Sequence, residues 1–135
     1  MSKKNIYLEN KRILVTGGSG FIGINLIKYL IKLKVHVLNI DKKEIDTFKN
    51  DQNKLYFFRQ IDLIDSQSLN NIIFEFKPNF IIHLAAESHV DRSIQSPELF
   101  IKSNILGTFN LLEATRKFYS KLNVKDKKIF RFHHI

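Results

Sequence analysis

Two periods of apolar residues alternate along the chain. Short continuous apolar runs, of strand length, are separated by segments whose apolar residues recur with helical spacing. Arg12 to Thr16 (RILVT) predicts a strand buried on both faces, as in a sheet covered by helices on either side. The turn Gly17-Gly18-Ser19-Gly20 leads into a predicted helix over 21–33. Ile22, Leu26, Leu30 and Leu33 share one face of it, with Ile27 and Ile31 beside them. A second strand over 35–40 ends at Asp41. The polar stretch 41–53 predicts one short helix and a loop, and 55–58 a third strand. Asp65 or Ser66 caps a helix carrying Leu69, Ile72, Ile73 and Phe76 on one face, which Pro78 stops. Phe80 to Leu84 (FIIHL) predicts the fourth strand. A long helix follows, with Ser96 as N-cap, Pro97 at its first position and Glu98 in its first turn, running to about Leu122. Its apolar arc (Ile105, Leu106, Phe109, Leu111, Leu112, Phe118) is wide enough to face the sheet and leave a second stripe for a partner. Residues 129–135 predict a fifth strand.

Strands alternating with helices predict an α/β, Rossmann-like three-layer sandwich. Right-handed crossovers give a parallel sheet in the order 3-2-1-4-5, truncated after the fifth strand. Residues 1–11 read as a polar N-terminal extension and 12–135 as one incomplete dinucleotide-binding domain. A chain of 135 residues, 44% of them hydrophobic, can build one core.

Charge and cysteine content narrow the class. The formal net charge is +9. The lysines are spread along the chain, however, and the densest run, Lys125 to Lys128, is interrupted by Asp126. A dispersed basic surface is weak support for nucleic-acid binding, and no nucleic-acid partner is expected. Zero cysteines exclude a disulfide scaffold, a thiolate zinc site and a cysteine nucleophile. No apolar run approaches the roughly 20 residues that span a bilayer. The polar start has no apolar signal-peptide segment. The expectation is a soluble cytoplasmic protein without a membrane partner.

The strongest candidate site is Thr16-Gly17-Gly18-Ser19-Gly20-Phe21-Ile22-Gly23, set between a strand and a helix. Gly17 permits the tight turn, Gly20 leaves room for a pyrophosphate, and Gly23 lets helix and strand approach closely. The helix N-terminus offers free amides and partial positive charge to phosphates. No Gly-Lys-Ser/Thr ending follows, which disfavours a nucleotidase P-loop. Asp41 closes the second strand roughly 20 residues beyond the turn, placed to accept hydrogen bonds from ribose hydroxyls and to repel a 2′-phosphate. That favours NAD over NADP, although Lys42 and Lys43 beside it could greet the phosphate. Asp62 and Leu63 follow the third strand, where Asp62 either meets an adenine amine or simply flanks the next helix. Leu84-Ala85-Ala86-Glu87-Ser88 follows the fourth strand, and its two alanines allow a ligand close to the backbone at the carboxyl end of the sheet.

TGGSGFIG, the strand-end Asp41, HLAAESHVDRSI from His83 to Ile94 and SNILGTFNLLEA from Ser103 to Ala114 together resemble the extended short-chain dehydrogenases/reductases, the NAD-dependent epimerases and dehydratases. AAESHVDRS and the terminal RFHHI are most similar to the dTDP-glucose 4,6-dehydratase family. The resemblance runs from about Arg12 to Ile135. It implies NAD contacts from Phe21 and Ile22, from Asp41 and Lys42 at the ribose, and from Asp62 and Leu63 at the adenine. Leu84, Ala85, Ala86, Glu87 and Ser88 would line the nicotinamide side, and Ser88 would also touch a dTDP-sugar substrate. Ser103 stands where the family commonly has Thr, and Asn104 matches a helix residue that supports the active site through its backbone. The loop after Asp41 departs from the family's Tyr-Ala-Gly-Asn segment, reading Lys43-Glu44-Ile45-Asp46-Thr47-Phe48, and the connection to Asp62 looks shorter.

In that family NAD oxidises the sugar at C4, water leaves across C5 and C6, and the hydride returns to C6. Ser/Thr-Asp-Glu after the fifth strand and a Tyr-x-x-x-Lys on the next helix carry this chemistry. No catalytic residue is therefore expected among these 135, and the chain alone is expected to be inactive. The spacing Tyr7 to Lys11 matches Tyr-x-x-x-Lys but precedes the first strand, the wrong context for that role. His83, His89 and Asp91 lack metal-ligand spacing, so no metal site is expected. His133 and His134 should alternate faces of the last strand. Family homodimers pair the long helix with a later helix, so half of a dimer surface is expected here, with an exposed apolar stripe. A non-catalytic dinucleotide-binding module, a piece that docks on a separately encoded half, or part of another nucleotide-sugar epimerase or dehydratase remain alternatives.

Overall fold

The computed structural model describes residues 7–48 and 54–135. The expected N-terminal extension and the 41–53 loop lie partly outside the described residues. Five strands form one parallel sheet: β1 (Arg12–Thr16), β2 (His36–Asp41), β3 (Tyr56–Gln60), β4 (Phe80–His83) and β5 (Arg131–His134). Their order is β3-β2-β1-β4-β5, as the crossover rule predicts. Ile13 pairs with Val37 and with Phe80, and Thr16 with Ile40 and His83, so the central strands end level with one another.

Alternation along β1 divides the core into two layers. Leu14, with Leu38, Ile40 and Ile81, packs against Leu69 and Ile73 of α2 (Ser66–Phe76) and Leu111 and Phe118 of α5 (Thr108–Lys121). Ile13 and Val15, with Val37, pack on the other side against Ile27 and Leu30 of α1 (Phe21–Lys32). Truncating a fully buried core residue such as Leu14 or Ile81 to Ala costs about 2–5 kcal/mol.

The α1 face differs from the expected one. Gly23, Ile27 and Leu30 are buried, while Ile22 is 60% exposed. Ile22 belongs to the first turn, beyond the strand ends, where no sheet lies beneath it. Asp65 caps α2 as expected, accepting from the Ser68 amide at 3.0 Å and the Ser68 hydroxyl at 2.6 Å. Lys77 ends α2 in the left-handed conformation at φ 51°, just ahead of Pro78.

The long helix also departs from expectation. A separate short helix, α3 (Val90–Gln95), precedes it. It begins as α4 (Pro97–Phe100), widens into a π-helical segment (Ile101–Gly107) and returns to α-helix as α5. Ser96 holds the N-cap position without a side-chain cap bond. A further helix, α6 (Val124–Ile129), is capped by the Asn123 side chain, so β5 begins at Arg131 rather than at 129. Lys125, Lys127 and Lys128 therefore belong to a capped helical turn. Tyr7 packs edge-on against Phe80 at the amino end of β4, with the Lys11 ammonium 5.7 Å from its ring centre. Among the described residues no helix is long and apolar enough to cross a membrane.

Candidate functional site

The chain runs outward from β1 to β2 and β3, then returns to β4 on the other side of β1. Carboxyl ends of strands at such a reversal splay their loops apart and leave a crevice. Here the crevice is a cleft of about 810 Å³, lined by the glycine turn and the loops after β2, β3 and β4. Every residue singled out for cofactor contact reaches it: Gly17, Gly20, Phe21, Ile22, Gly23, Asp41, Lys42, Asp62, Leu63, Leu84, Ala85, Ala86, Glu87, Ser88 and Ser103. Ser19, Ile40, Lys43, Ile45, Ile61, His89 and Ile135 complete the wall.

Tight backbone approaches build the turn. Gly17 has φ +72°, a conformation that L side chains rarely adopt, and a Cβ on it would lie 2.6 Å from the Ala85 backbone. Gly18 leaves no room for a Cβ against the Asn39 amide and Ile27. A Cβ on Gly23 would press on the Gly17 carbonyl at 2.5 Å, so this residue lets α1 sit on the turn. Gly20 differs from these. A Cβ there would meet only the Gly17 oxygen, at 3.4 Å, so the space in front of it is open.

Gly20 is also the N-cap of α1 and supplies no side-chain cap, and the first turn carries no acidic residue. The first intrahelical bond runs from the Ile24 amide to the Gly20 oxygen at 2.9 Å. The amides of Phe21, Ile22 and Gly23 precede it and face the cleft mouth with the positive end of the helix dipole. That suits a diphosphate.

A polar network fixes the turn from below. Asn39, fully buried on β2, accepts from the Gly18 amide at 3.0 Å and donates to the Ser19 hydroxyl at 3.2 Å and the Tyr56 hydroxyl at 3.0 Å. Burial pushes the Tyr56 pKa up, which keeps it a neutral phenol. Asp41 accepts from the Ser19 amide at 3.0 Å and the Lys42 amide at 2.7 Å, one through each carboxylate oxygen. Each oxygen retains a second lone pair for a ligand hydroxyl. The Ser19 hydroxyl donates to the Lys43 carbonyl at 2.7 Å, and Phe48 packs on Tyr56 with ring centres 4.7 Å apart. The Lys43–Phe48 segment is thus anchored at both ends, to the glycine turn and to β3.

The β4 side rests on His83. Its Nδ1 lies 2.6 Å from the Thr16 hydroxyl and its Nε2 2.9 Å from the Thr108 hydroxyl, and the Ala85 amide donates to Thr16 at 3.3 Å. The ring stacks on His134 at 4.6 Å. Burial, helped by His134, pushes the His83 pKa down to about 4, so it is a neutral strut. Asn104 supports the adjoining loop with its side chain. Its oxygen accepts from the Glu87 amide at 2.8 Å, and its amide donates to the Glu87 carbonyl at 3.0 Å. The amide of Asn110 donates to the carbonyls of Leu63 and Ile64 at 3.0 and 3.2 Å, fixing the loop after β3 to the same helix. Among the described residues no group of three His, Cys, Asp or Glu could hold a metal ion.

The supporting roles of Asn39, Tyr56, Thr16 and Thr108 escape the sequence reading. Asn39 leaves one trace, a polar residue inside the otherwise apolar run VLNI. Thr16 and Thr108 fall inside segments singled out for other reasons, but their bonds to His83 leave no signal, because the partners are distant in sequence.

The sequence profile of the family described as GDP-mannose 4,6 dehydratase matches residues 14–135. The chain is 42% identical over 134 residues to dTDP-glucose 4,6-dehydratase of Neisseria meningitidis serogroup B, covering 93% of this chain and 37% of that protein. It is 43% identical over 130 residues to dTDP-glucose 4,6-dehydratase of Shigella flexneri, covering 92% and 36%. Among solved structures, UDP-glucose 4-epimerase of Thermus thermophilus in complex with NAD superposes with TM-score 0.68 at 37% identity, over 79% of this chain and 34% of that one. The chain therefore spans a little over a third of the length of the curated relatives it matches.

Proposed function

The chain belongs to the GDP-mannose 4,6 dehydratase family, and on that footing we propose that it is the N-terminal, NAD-binding portion of a dTDP-glucose 4,6-dehydratase-like enzyme. The observation that carries this reading is the convergence of the glycine turn, Asp41, Asp62-Leu63 and Leu84–Ser88 on one cleft. We assign the dinucleotide-binding unit to residues 12–135.

When bound, NAD supplies a hydride acceptor and donor at its nicotinamide. The chain's own residues hold it. The Phe21 and Ile22 amides take the pyrophosphate, and Gly20 keeps the approach clear. Asp41, already oriented by two backbone amides, accepts from the ribose hydroxyls. Asp62 and Leu63 receive the adenine. The Leu84–Ser88 loop, held by Asn104, lines the nicotinamide side with Ser103 nearby, and Ser88 contacts a dTDP-sugar. The elimination chemistry is assigned to none of these 135 residues. A second copy of the chain is the expected macromolecular partner, through the exposed face of the long helix.

Calorimetric titration of the chain with NAD tests the reading. Saturable binding at one site per chain is expected. Absence of saturable binding by a chain shown to be folded overturns it.

A further inference from the structure

We infer that Asp62 is a specificity-determining residue that keeps the ribose end of the cleft selective for a dinucleotide without a 2′-phosphate, by holding Lys42 away from Asp41. This rests on the NAD-binding reading above and deepens it.

Asp41 excludes a 2′-phosphate by charge, since a phosphomonoester carries about −1.5 to −2 at pH 7. The next residue is a lysine, and a free ammonium there would neutralise much of that repulsion. In the fold this ammonium is engaged. Lys42 Nζ lies 3.4 Å from Asp62 Oδ2, bridging the ends of β2 and β3. The backbone fixes both partners. The Lys42 amide donates to Asp41 Oδ1 at 2.7 Å, and Asp62 Oδ1 accepts from the Ile64 amide at 3.2 Å, which leaves Oδ2 for the lysine. The pair has no net charge, so Lys42 does not compensate Asp41 at the ribose. An exposed pair of this kind is worth up to about 1 kcal/mol, a roughly fivefold effect on an equilibrium.

Asp62→Asn keeps the acceptor for the Ile64 amide, removes the charge and frees Lys42 to meet a phosphate. NAD and NADP share the adenine, so any lost adenine contact cancels in the ratio of their affinities. Lys43 is present in every variant and cancels likewise.

The experiment is calorimetric titration of the wild-type chain, Asp62→Asn, Lys42→Ala and the double variant with NAD and, separately, NADP. Wild type is expected to prefer NAD. Asp62→Asn should narrow that preference by about three- to fivefold, and Lys42→Ala on top of it should restore the preference to within about twofold of wild type. An unchanged ratio in Asp62→Asn overturns the inference. So does a narrowed ratio that persists in the double variant, because the freed lysine would then not be its cause. A folded wild-type chain that binds neither dinucleotide overturns the NAD-binding reading and this inference with it. Binding of NAD with an unaltered ratio overturns this inference alone.

Discussion

Asn39 accepts a hydrogen bond from the Gly18 amide at 3.0 Å, and the two residues pack so closely that Gly18 has no room for a Cβ. The phosphate-binding turn is thus held by a buried side chain on the neighbouring strand as well as by its own glycines.

Asn39→Leu leaves the Gly18 amide without its buried acceptor and removes the donor to Tyr56 and Ser19. An unsatisfied buried donor costs about 1–3 kcal/mol. Urea unfolding at pH 7 should show a loss of that size. Amide exchange at Gly18 should accelerate beyond what the global loss explains, because the turn opens first. Equal protection of Gly18 in both proteins would contradict this role.

The glycines of the turn separate folding from binding. At Gly20 the backbone is extended (φ −79°, ψ 172°) and a Cβ meets only one atom, at 3.4 Å. Gly20→Ala is therefore expected to leave stability within about 1 kcal/mol of wild type, because the reduced freedom of the unfolded chain and the poorer N-cap oppose each other. It should weaken NAD binding at least tenfold, because the new methyl group stands in front of the helix amides. Gly23→Ala should do the reverse in the first measurement, since its Cβ presses on the Gly17 carbonyl at 2.5 Å. A destabilisation of about 1–3 kcal/mol in thermal or urea unfolding is the expected result.

Much of this was legible in the sequence for local reasons. β1 and β2 lie in the middle of the sheet with both faces covered, so their runs are apolar, broken only at Asn39, and their ends sharp. The glycine turn is a local structure and reads locally. Pairs formed between distant segments could not be read. His83 and Thr108 belong to different elements, and nothing near either residue announces the other. The π segment at Ile101–Gly107 was hidden for another reason. Its residues continue the apolar pattern of an ordinary helix, and the widened turn arises where Gly107 passes Leu63, with a Cβ-to-Cβ approach of only 3.0 Å were Gly107 an alanine.

His83 should make stability depend on pH in a definite direction. Its pKa falls from the ordinary 6.5 to about 4 on folding, chiefly through burial. Between these values the unfolded chain binds more protons than the folded one, so stability rises with pH. The contribution is complete above about 6.5, is lost progressively as pH falls toward 4, and is then exhausted. It amounts to about 3 kcal/mol across that window. His83→Leu should be less stable at pH 7, because the Thr16 and Thr108 hydroxyls lose their partner. It should also lose the part of the pH 4 to 6.5 slope that His83 supplies. Parallel slopes in the two proteins, measured by urea unfolding across this range, would show that His83 is not the titrating group.

The long helix presents an apolar stripe. Ile101, Ile105, Phe109 and Leu112 follow one another at spacings of four, four and three residues, and all are exposed, Ile105 by 65% and Phe109 by 58%. On the opposite side Leu111, Ala114 and Phe118 are buried against the sheet. The stripe is therefore surplus to what the domain's own core needs, and its burial against a second copy would be favourable by about 25 cal/mol per Å² of apolar surface before the cost of association. The chain should self-associate at micromolar concentration. Phe109→Asp should shift it toward the monomer in sedimentation velocity, while leaving the urea midpoint of the monomeric fraction close to wild type, because Phe109 makes no contribution to the buried core. A wild-type chain that sediments as a monomer throughout this range would show that the stripe tolerates water.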